Sequence, residues 1–231
     1  MSEQLVFELA PPEPPTFANF VVGPNAEAVT ALTRLANGTA PETGLVVWGA
    51  TTAGKTHLLR ATVRASAARG RAATYVSHPG ALTAADLTPL SAEQIVAVDD
   101  VDAADAVAQG LLFTLYNALK AAGAHLVVGA RVPPAQMQLR DDLRTRLGWG
   151  LVYELVPLAD ADKPAALIAY ARERGFSLAP EIVRHLLVHG RRDMASLLAT
   201  LAALDRHSLA TKRPITIPML REWLQRDLHR G

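Results

Sequence analysis

The stretch from Leu45 to Thr56, LVVWGATTAGKT, constrains this chain more than any other. An apolar run passes into Gly49-x-x-x-x-Gly54-Lys55-Thr56, and His57-Leu58-Leu59 continues in a helical pattern. Strand, phosphate-wrapping loop and helix N-terminus follow one another in the order that phosphate binding requires. Gly49 and Gly54 permit a tight turn, so that the backbone N–H groups of Ala50, Thr51, Thr52 and Ala53 can point inward at phosphate oxygens. The helix behind the loop adds its positive end. Lys55 has the reach for β and γ phosphates, and the Thr56 hydroxyl can ligate Mg²⁺. The spacing predicts a nucleotide site for ADP or ATP.

A second stretch answers the first. Gln94-Ile95-Val96-Ala97-Val98-Asp99-Asp100 reads as a strand buried on both faces, the mark of a parallel sheet. It ends in two carboxylates, at the edge where open α/β sheets bind ligands. Two aspartates there could merely start a loop or cap a helix. Downstream of a phosphate loop, Asp99 is instead expected as outer partner of the Mg²⁺ held by Thr56, and Asp100 as the group that positions water.

Strands alternate with helices through the first two thirds of the chain. Helical patterns span about Asn25 to Ala36, Lys55 to Arg69, Ala104 to Ala122 and Arg140 to Leu147. Strand patterns cover Ala73–Ser77, His125–Gly129 and Leu151–Leu155, besides the two already described. The expectation is an α/β domain with a five-stranded, mostly parallel sheet over residues 16–157. After Pro157 only helical patterns remain, opened by Asp160, Pro180, Arg192 and Thr216-Ile217-Pro218, so residues 158–231 should form a small all-α domain. The leucines at 197, 198, 201 and 204 are ordinary bundle core. His185 and His189 lie four apart but lack a third ligand, and they read as surface or interhelical residues.

Composition removes other classes. Half of the 231 residues are hydrophobic, 19% are charged, and the net charge is +1, which suits a folded domain and not a surface devoted to polyanions. There is no cysteine, so disulfides and thiolate metal sites are excluded. No apolar run is long enough for a signal peptide or a membrane span, and a cytoplasmic location is the default expectation. Residues 1–15 stand apart: Gln4-Leu5-Val6-Phe7-Glu8-Leu9 precedes the proline-rich Ala10–Pro15. Such a hexapeptide could be an edge strand, a disordered tag or a linear motif for another protein's pocket.

The order of these parts resembles the AAA+ ATPases: a P-loop, an apolar strand ending Asp-Asp, a strand ending Gly-Ala-Arg-x-Pro, then Leu-Arg-Thr-Arg-Leu-Gly-Trp-Gly and a helical lid. More narrowly it is similar to the AAA+ part of the bacterial replication initiator DnaA. Phe17–Gly23 resembles the initiator's adenine-side segment, which implies nucleotide contacts from Val21 and Val22. Arg144–Gly150 resembles its arginine-finger box with Arg146 at the finger, and Gly190–Met194 its sensor-2 segment with Arg192 at the arginine. Gln4, Leu5, Phe7 and Leu9 match the peptides that bind the DNA polymerase III sliding clamp (its beta subunit). On this resemblance the chain is expected to end with the lid, without the initiator's DNA-binding domain. That combination resembles the Hda family of DnaA-related regulators.

The resemblance implies a negative regulator of replication initiation. Bound to nucleotide and to a DNA-loaded clamp, it would supply Arg146 in trans and so stimulate hydrolysis of the ATP held by DnaA. Contact with DNA would be indirect, through the clamp; no membrane is involved, and homo-oligomerisation stays open. The chain departs from the initiator pattern at Ala130, where that pattern has Asp before Arg131. Alanine cannot hydrogen-bond a phosphate or a water, and Asp100 is a methylene shorter than the Glu used as base in many AAA+ proteins. Weak ATPase activity of its own is therefore expected. Two alternatives remain: an autonomous AAA+ ATPase such as a helicase loader, or a non-catalytic ATP-binding adaptor.

Overall fold

The computed structural model describes residues 13–83, 90–191 and 193–228. Two compact units emerge, one of Pro15–Pro157 and one that begins at Leu158, with which Glu13 and Pro14 group.

The first unit is built on five parallel strands: β1 (Gly44–Trp48), β2 (Ala73–Val76), β3 (Ile95–Val98), β4 (His125–Ala130) and β5 (Leu151–Glu154), in the spatial order β2-β3-β4-β1-β5. All four residues of β3 and all six of β4 are buried. The Val, Ile, Leu and Ala that dominate both strands make sense there, because helices cover both faces. Edge strand β5 alternates between half-buried and exposed residues, as a strand with one open side does.

Side-chain parity sorts the interior into two cores. Leu45, Val47, Ile95, Ala97 and Val127 face a cluster with Leu32 and Leu35 of α1 (Ala26–Ala36) and Leu58 and Leu59 of α2 (Lys55–Ala67). Val46, Val96, Val98, Leu126, Val128 and Ala130 face the opposite cluster. It contains Leu112, Leu115 and Leu119 of α3 (Ala106–Ala122) and Leu143 and Leu147 of α4 (Asp141–Gly148). Each fully buried leucine of this kind contributes about 1.5–3 kcal/mol. The phosphate loop thus belongs to the α1/α2 side, and the arginine-rich helix α4 to the other.

Polar ties fix the rim. Asn25 stands where a helix N-cap was expected, yet makes no capping bond. Its side-chain amide donates to the carbonyl of Val156 (3.0 Å), and its oxygen accepts from the Val156 N–H (2.8 Å). This local residue is used over a long range, to pin the chain leaving β5. Arg71 donates to the carbonyls of Leu35 and Ala36 and so caps the end of α1.

The second unit consists, among the described residues, of α5 (Lys163–Glu173), α6 (Pro180–His189), α7 (Met194–Thr211) and α8 (Ile217–Leu228). Leu167, Ile182, Leu186, Leu197, Leu201, Leu204 and Leu220 form its interior. Pro180 opens α6 as expected. Asp160 does not cap α5: the helix starts later, at Lys163, and Asp160 makes an exposed ion pair with the Lys163 ammonium at 2.6 Å. Asp193, whose carboxylate accepts from the Ser196 N–H at 2.8 Å, caps α7. No helix among the described residues is long and apolar enough to cross a membrane.

Candidate functional site

The loop between β1 and α2 takes its shape from its glycines and from what leans on them. Gly54 has φ +93°, and a Cβ there would come 2.6 Å from Phe20 Cε2. The Phe20 ring therefore closes directly over the loop's last residue. It is held in turn by His57, whose ring lies 5.5 Å away and whose Nε2–H donates to the Thr16 carbonyl (2.9 Å). The segment ahead of the domain and the loop are thereby one construction. Val21 is half-buried, and Val22, also in that segment, is 36% exposed.

Lys55 is buried at the first position of α2. Its ammonium donates to the carbonyls of Gly49 (2.8 Å) and Ala50 (2.9 Å), so the charge is folded back over the loop that Gly49, Ala50, Thr51, Thr52 and Ala53 form. Burial lowers the Lys55 pKa below the ordinary lysine value, opposed by the carboxylates of Asp99, Asp100 and Asp102. The first turn of α2 offers N–H groups that no preceding helical carbonyl can take. Positive end, ammonium and tight loop together make a phosphate cradle.

Across from it, Asp99 is 2% exposed and its carboxylate is held on three sides. Thr56 Oγ1 donates to Oδ2 at 2.6 Å, the Tyr75 hydroxyl donates to the same oxygen at 3.1 Å, and the Asp100 N–H donates to Oδ1 at 3.1 Å. Gly129 on the neighbouring strand leaves the room this requires, since a Cβ there would collide with Asp99 Oδ1. The donor set of Thr56 hydroxyl and Asp99 carboxylate is all oxygen, which suits a hard cation such as Mg²⁺ and not a softer metal. Asp100 is exposed and adopts a left-handed backbone conformation (φ 50°) directly after the strand. The sequence brings Lys55, Thr56 and Asp99 together as expected. It gave no hint of Tyr75, because a tyrosine in a strand is ordinary.

Ala130 lies at the end of β4, its carbonyl accepting from the Gly49 N–H (3.1 Å). Its methyl is fully buried in the α3/α4 core. The backbone at 130 touches the loop while the side chain points to the other face. Next to it, the Arg131 backbone N–H and Nε both donate to Asp102, at 3.1 and 2.7 Å.

Arg146 is held against the α3/α4 face. Its Nε donates to Asn117 Oδ1 (3.0 Å) and its Nη1 to the Asp142 carbonyl (3.2 Å). The guanidinium carbon stands 4.2 Å from the Phe113 ring centroid and 5.8 Å from that of Trp149. Stacking of this kind fixes a planar cation while leaving its other edge to solvent. Trp149 is 64% exposed. Arg144, by contrast, is paired with Asp141 on the same helix at 2.6 Å.

Two expected features fall outside the described residues: Arg192, and the peptide containing Gln4, Leu5, Phe7 and Leu9. The imidazoles of His185 and His189 stack on one another at 4.2 Å between ring centroids. Among the described residues no group of His, Cys, Asp and Glu could hold a metal by itself.

Residues 160–224 match the family model described as "Hda, lid domain". Domain III of the replication initiation protein DnaA from Thermotoga maritima is similar in fold, with a TM-score of 0.71 and 21% identity over 94% of this chain and 98% of that one. AMPPCP-bound DnaA from Aquifex aeolicus aligns with a TM-score of 0.65 and 20% identity over 89% of this chain and 71% of that one. A Thermotoga maritima RuvB mutant has the same architecture at greater distance, with a TM-score of 0.63 and 16% identity over 92% of this chain and 72% of that one. At these identities the likeness is one of fold, a five-stranded parallel α/β domain and a helical domain.

Proposed function

We propose that this chain, whose residues 160–224 match an Hda lid model and whose fold is similar to DnaA domain III, is a DnaA-related AAA+ regulator. It binds ADP or ATP with Mg²⁺, docks on the DNA polymerase III sliding clamp, and stimulates hydrolysis of the ATP bound to DnaA. It thereby acts as a negative regulator of replication initiation.

The observation that carries this reading is the placement of Arg146 on a chain with such a lid. The arginine is held by Asn117, Phe113 and Trp149 on the α3/α4 face, whereas Lys55 and Thr56 begin the helix of the opposite face. An arginine so supported is built to be presented to a second molecule. Given in trans to a transferring phosphoryl group, it stabilises charge that develops only in the transition state, an effect worth roughly 10³–10⁵ in rate.

In this chain's own site the roles divide simply. Gly49–Gly54 wrap phosphate with backbone N–H groups, Lys55 neutralises phosphate charge, and Thr56 with Asp99 holds the metal. Val21 and Val22 are the proposed base contacts, and Arg192 is the proposed arginine for the phosphates. Mg²⁺, held by Thr56 and Asp99, would neutralise phosphate charge. The proposed role of Asp100 is to position a water, but Ala130 brings no polar atom to the site, so the nucleotide would serve as a switch with weak turnover. Gln4, Leu5, Phe7 and Leu9 are the clamp anchors, and the loaded clamp provides the indirect link to DNA.

The test is the fate of ATP bound to purified DnaA, measured with this protein, DNA-loaded clamp and ADP. Conversion of bound ATP to ADP only when all three are present is expected. No acceleration with every component present would overturn the regulatory reading.

A further inference from the structure

The Asp99 carboxylate has a partner that the nucleotide site itself does not require. Tyr75 lies in the edge strand β2, one position before that strand's last residue. Its hydroxyl stands 3.1 Å from Asp99 Oδ2, the same oxygen that accepts from Thr56 at 2.6 Å. Outside it, the guanidinium of Arg60 on α2 sits 4.7 Å from the centre of the Tyr75 ring. Arg60 is exposed, Tyr75 half-buried and Asp99 buried, so a single chain of contacts runs from the surface to the metal-binding carboxylate.

The geometry limits what Asp99 can do. Oδ1 is fixed by the Asp100 N–H, and Gly129 allows the carboxylate to approach β4 closely. Without Tyr75 the remaining contacts all lie on one edge or the other of the carboxylate: Thr56 on Oδ2 and Asp100 on Oδ1. Tyr75 supplies the second hydrogen bond on Oδ2, from the direction of the neighbouring strand. Two donors on one oxygen resist rotation of the carboxylate about its Cβ–Cγ bond. The ring is in turn kept from swinging out of the sheet edge by Arg60 across its face.

We propose that Tyr75, braced by Arg60, is a positioning residue that holds Asp99 in the orientation needed for Mg²⁺. The inference rests on the nucleotide-binding reading of this site. Hydrogen-bonded partners of metal-binding groups typically govern 10–100-fold in metal affinity. Tyr75→Phe deletes only the hydroxyl, and Arg60→Gln keeps a polar chain while removing the cation.

Equilibrium binding of a fluorescent ADP analogue by the full chain tests this, first in excess EDTA and then across a Mg²⁺ titration. The wild-type protein should bind more tightly as Mg²⁺ is added. In Tyr75→Phe the Mg²⁺ midpoint should rise about ten-fold, with affinity in EDTA and thermal unfolding of the apo protein unchanged. Arg60→Gln should move the midpoint in the same direction by less. An unchanged or lowered midpoint in Tyr75→Phe, with normal wild-type behaviour, overturns the positioning role alone. An equal loss with and without Mg²⁺ would mean that the tyrosine only supports the fold, which also overturns it. Failure of the wild-type protein to bind the analogue under any condition would remove the nucleotide reading and this inference together.

Discussion

Thr56 Oγ1 donates to Asp99 Oδ2 at 2.6 Å, across 43 residues of sequence. One residue lies in the first turn of α2, behind the phosphate loop, and the other directly follows strand β3. Their meeting joins the phosphate loop and the end of β3 into a single oxygen-rich corner.

Lys55→Ala should weaken nucleotide binding by about ten-fold to a hundred-fold, the worth of a charge-assisted hydrogen bond to phosphate. Fold should be preserved, because the ammonium contacts only the carbonyls of Gly49 and Ala50. Titration with a fluorescent ADP analogue and circular dichroism would separate the two effects. Unchanged affinity would remove Lys55 from the site.

Gly129→Ala should disturb the metal corner without touching a polar group. The added methyl would collide with Asp99 Oδ1 and lie 2.9 Å from Leu59 Cδ1, with close-packed strands on both sides. Overpacking of this kind costs about 1–3 kcal/mol. Denaturant unfolding should register that loss, and Mg²⁺ should no longer tighten nucleotide binding. A variant of wild-type stability and Mg²⁺ response would show that Asp99 has slack the distances do not suggest.

The parts that could be read from the sequence are those encoded by local pattern. Strand runs such as Ile95–Val98, the loop spacing and the capping glycine Gly123 are visible to anyone counting residues, and each element lay within a few residues of its expected place. Asn25 shows where such reading stops: it has the identity of a cap, but its bonds reach Val156, 131 residues away. Tyr75, Phe113 and Asn117 were equally invisible, since their roles come from which strand or helix lies beside them.

Ala130 is an instructive intermediate. The sequence marks it as an absent polar sensor, and the structure adds that its methyl is core, on the face away from α2. Ala130→Asp should therefore bury an unpaired carboxylate and destabilise the domain by several kcal/mol. Thermal unfolding is the measurement. A variant as stable as wild type, with faster ATP turnover, would mean that the side chain at 130 can reach the phosphate side after all.

A pH dependence follows from His57. Burial is the largest influence on its imidazole and holds its pKa below the ordinary 6.5; the hydrogen bond to Thr16 opposes the shift without reversing it. A group whose folded pKa is depressed binds fewer protons folded than unfolded. Its contribution is then present above about pH 6.5 and is lost as pH falls toward the lowered folded value. The melting temperature should decline on acidification through that window, and His57→Gln, which keeps a donor for Thr16, should flatten this part of the profile. An identical slope in the variant would assign the decline to other groups.

The last prediction separates the two ends of the proposed mechanism. Replacing Gln4 and Leu5 together by alanine should abolish clamp binding and leave nucleotide affinity intact, because the affinity of a short peptide resides in a few anchors. Arg146→Ala should do the reverse. Its guanidinium contacts Asn117, the Asp142 carbonyl, Phe113 and Trp149, so the protein should still fold, bind nucleotide and bind the clamp. What it should lose is stimulation of DnaA-bound ATP hydrolysis, by about 10³-fold or more if the arginine completes the transition state. Asn117→Ala should lie between, since it frees the guanidinium without removing it. A clamp pull-down and a hydrolysis measurement on DnaA decide the matter in one set of samples. Retained clamp binding in the Gln4/Leu5 variant would reduce that peptide to a solvated extension. Full stimulation by Arg146→Ala would mean that the α3/α4 face supplies something other than a finger.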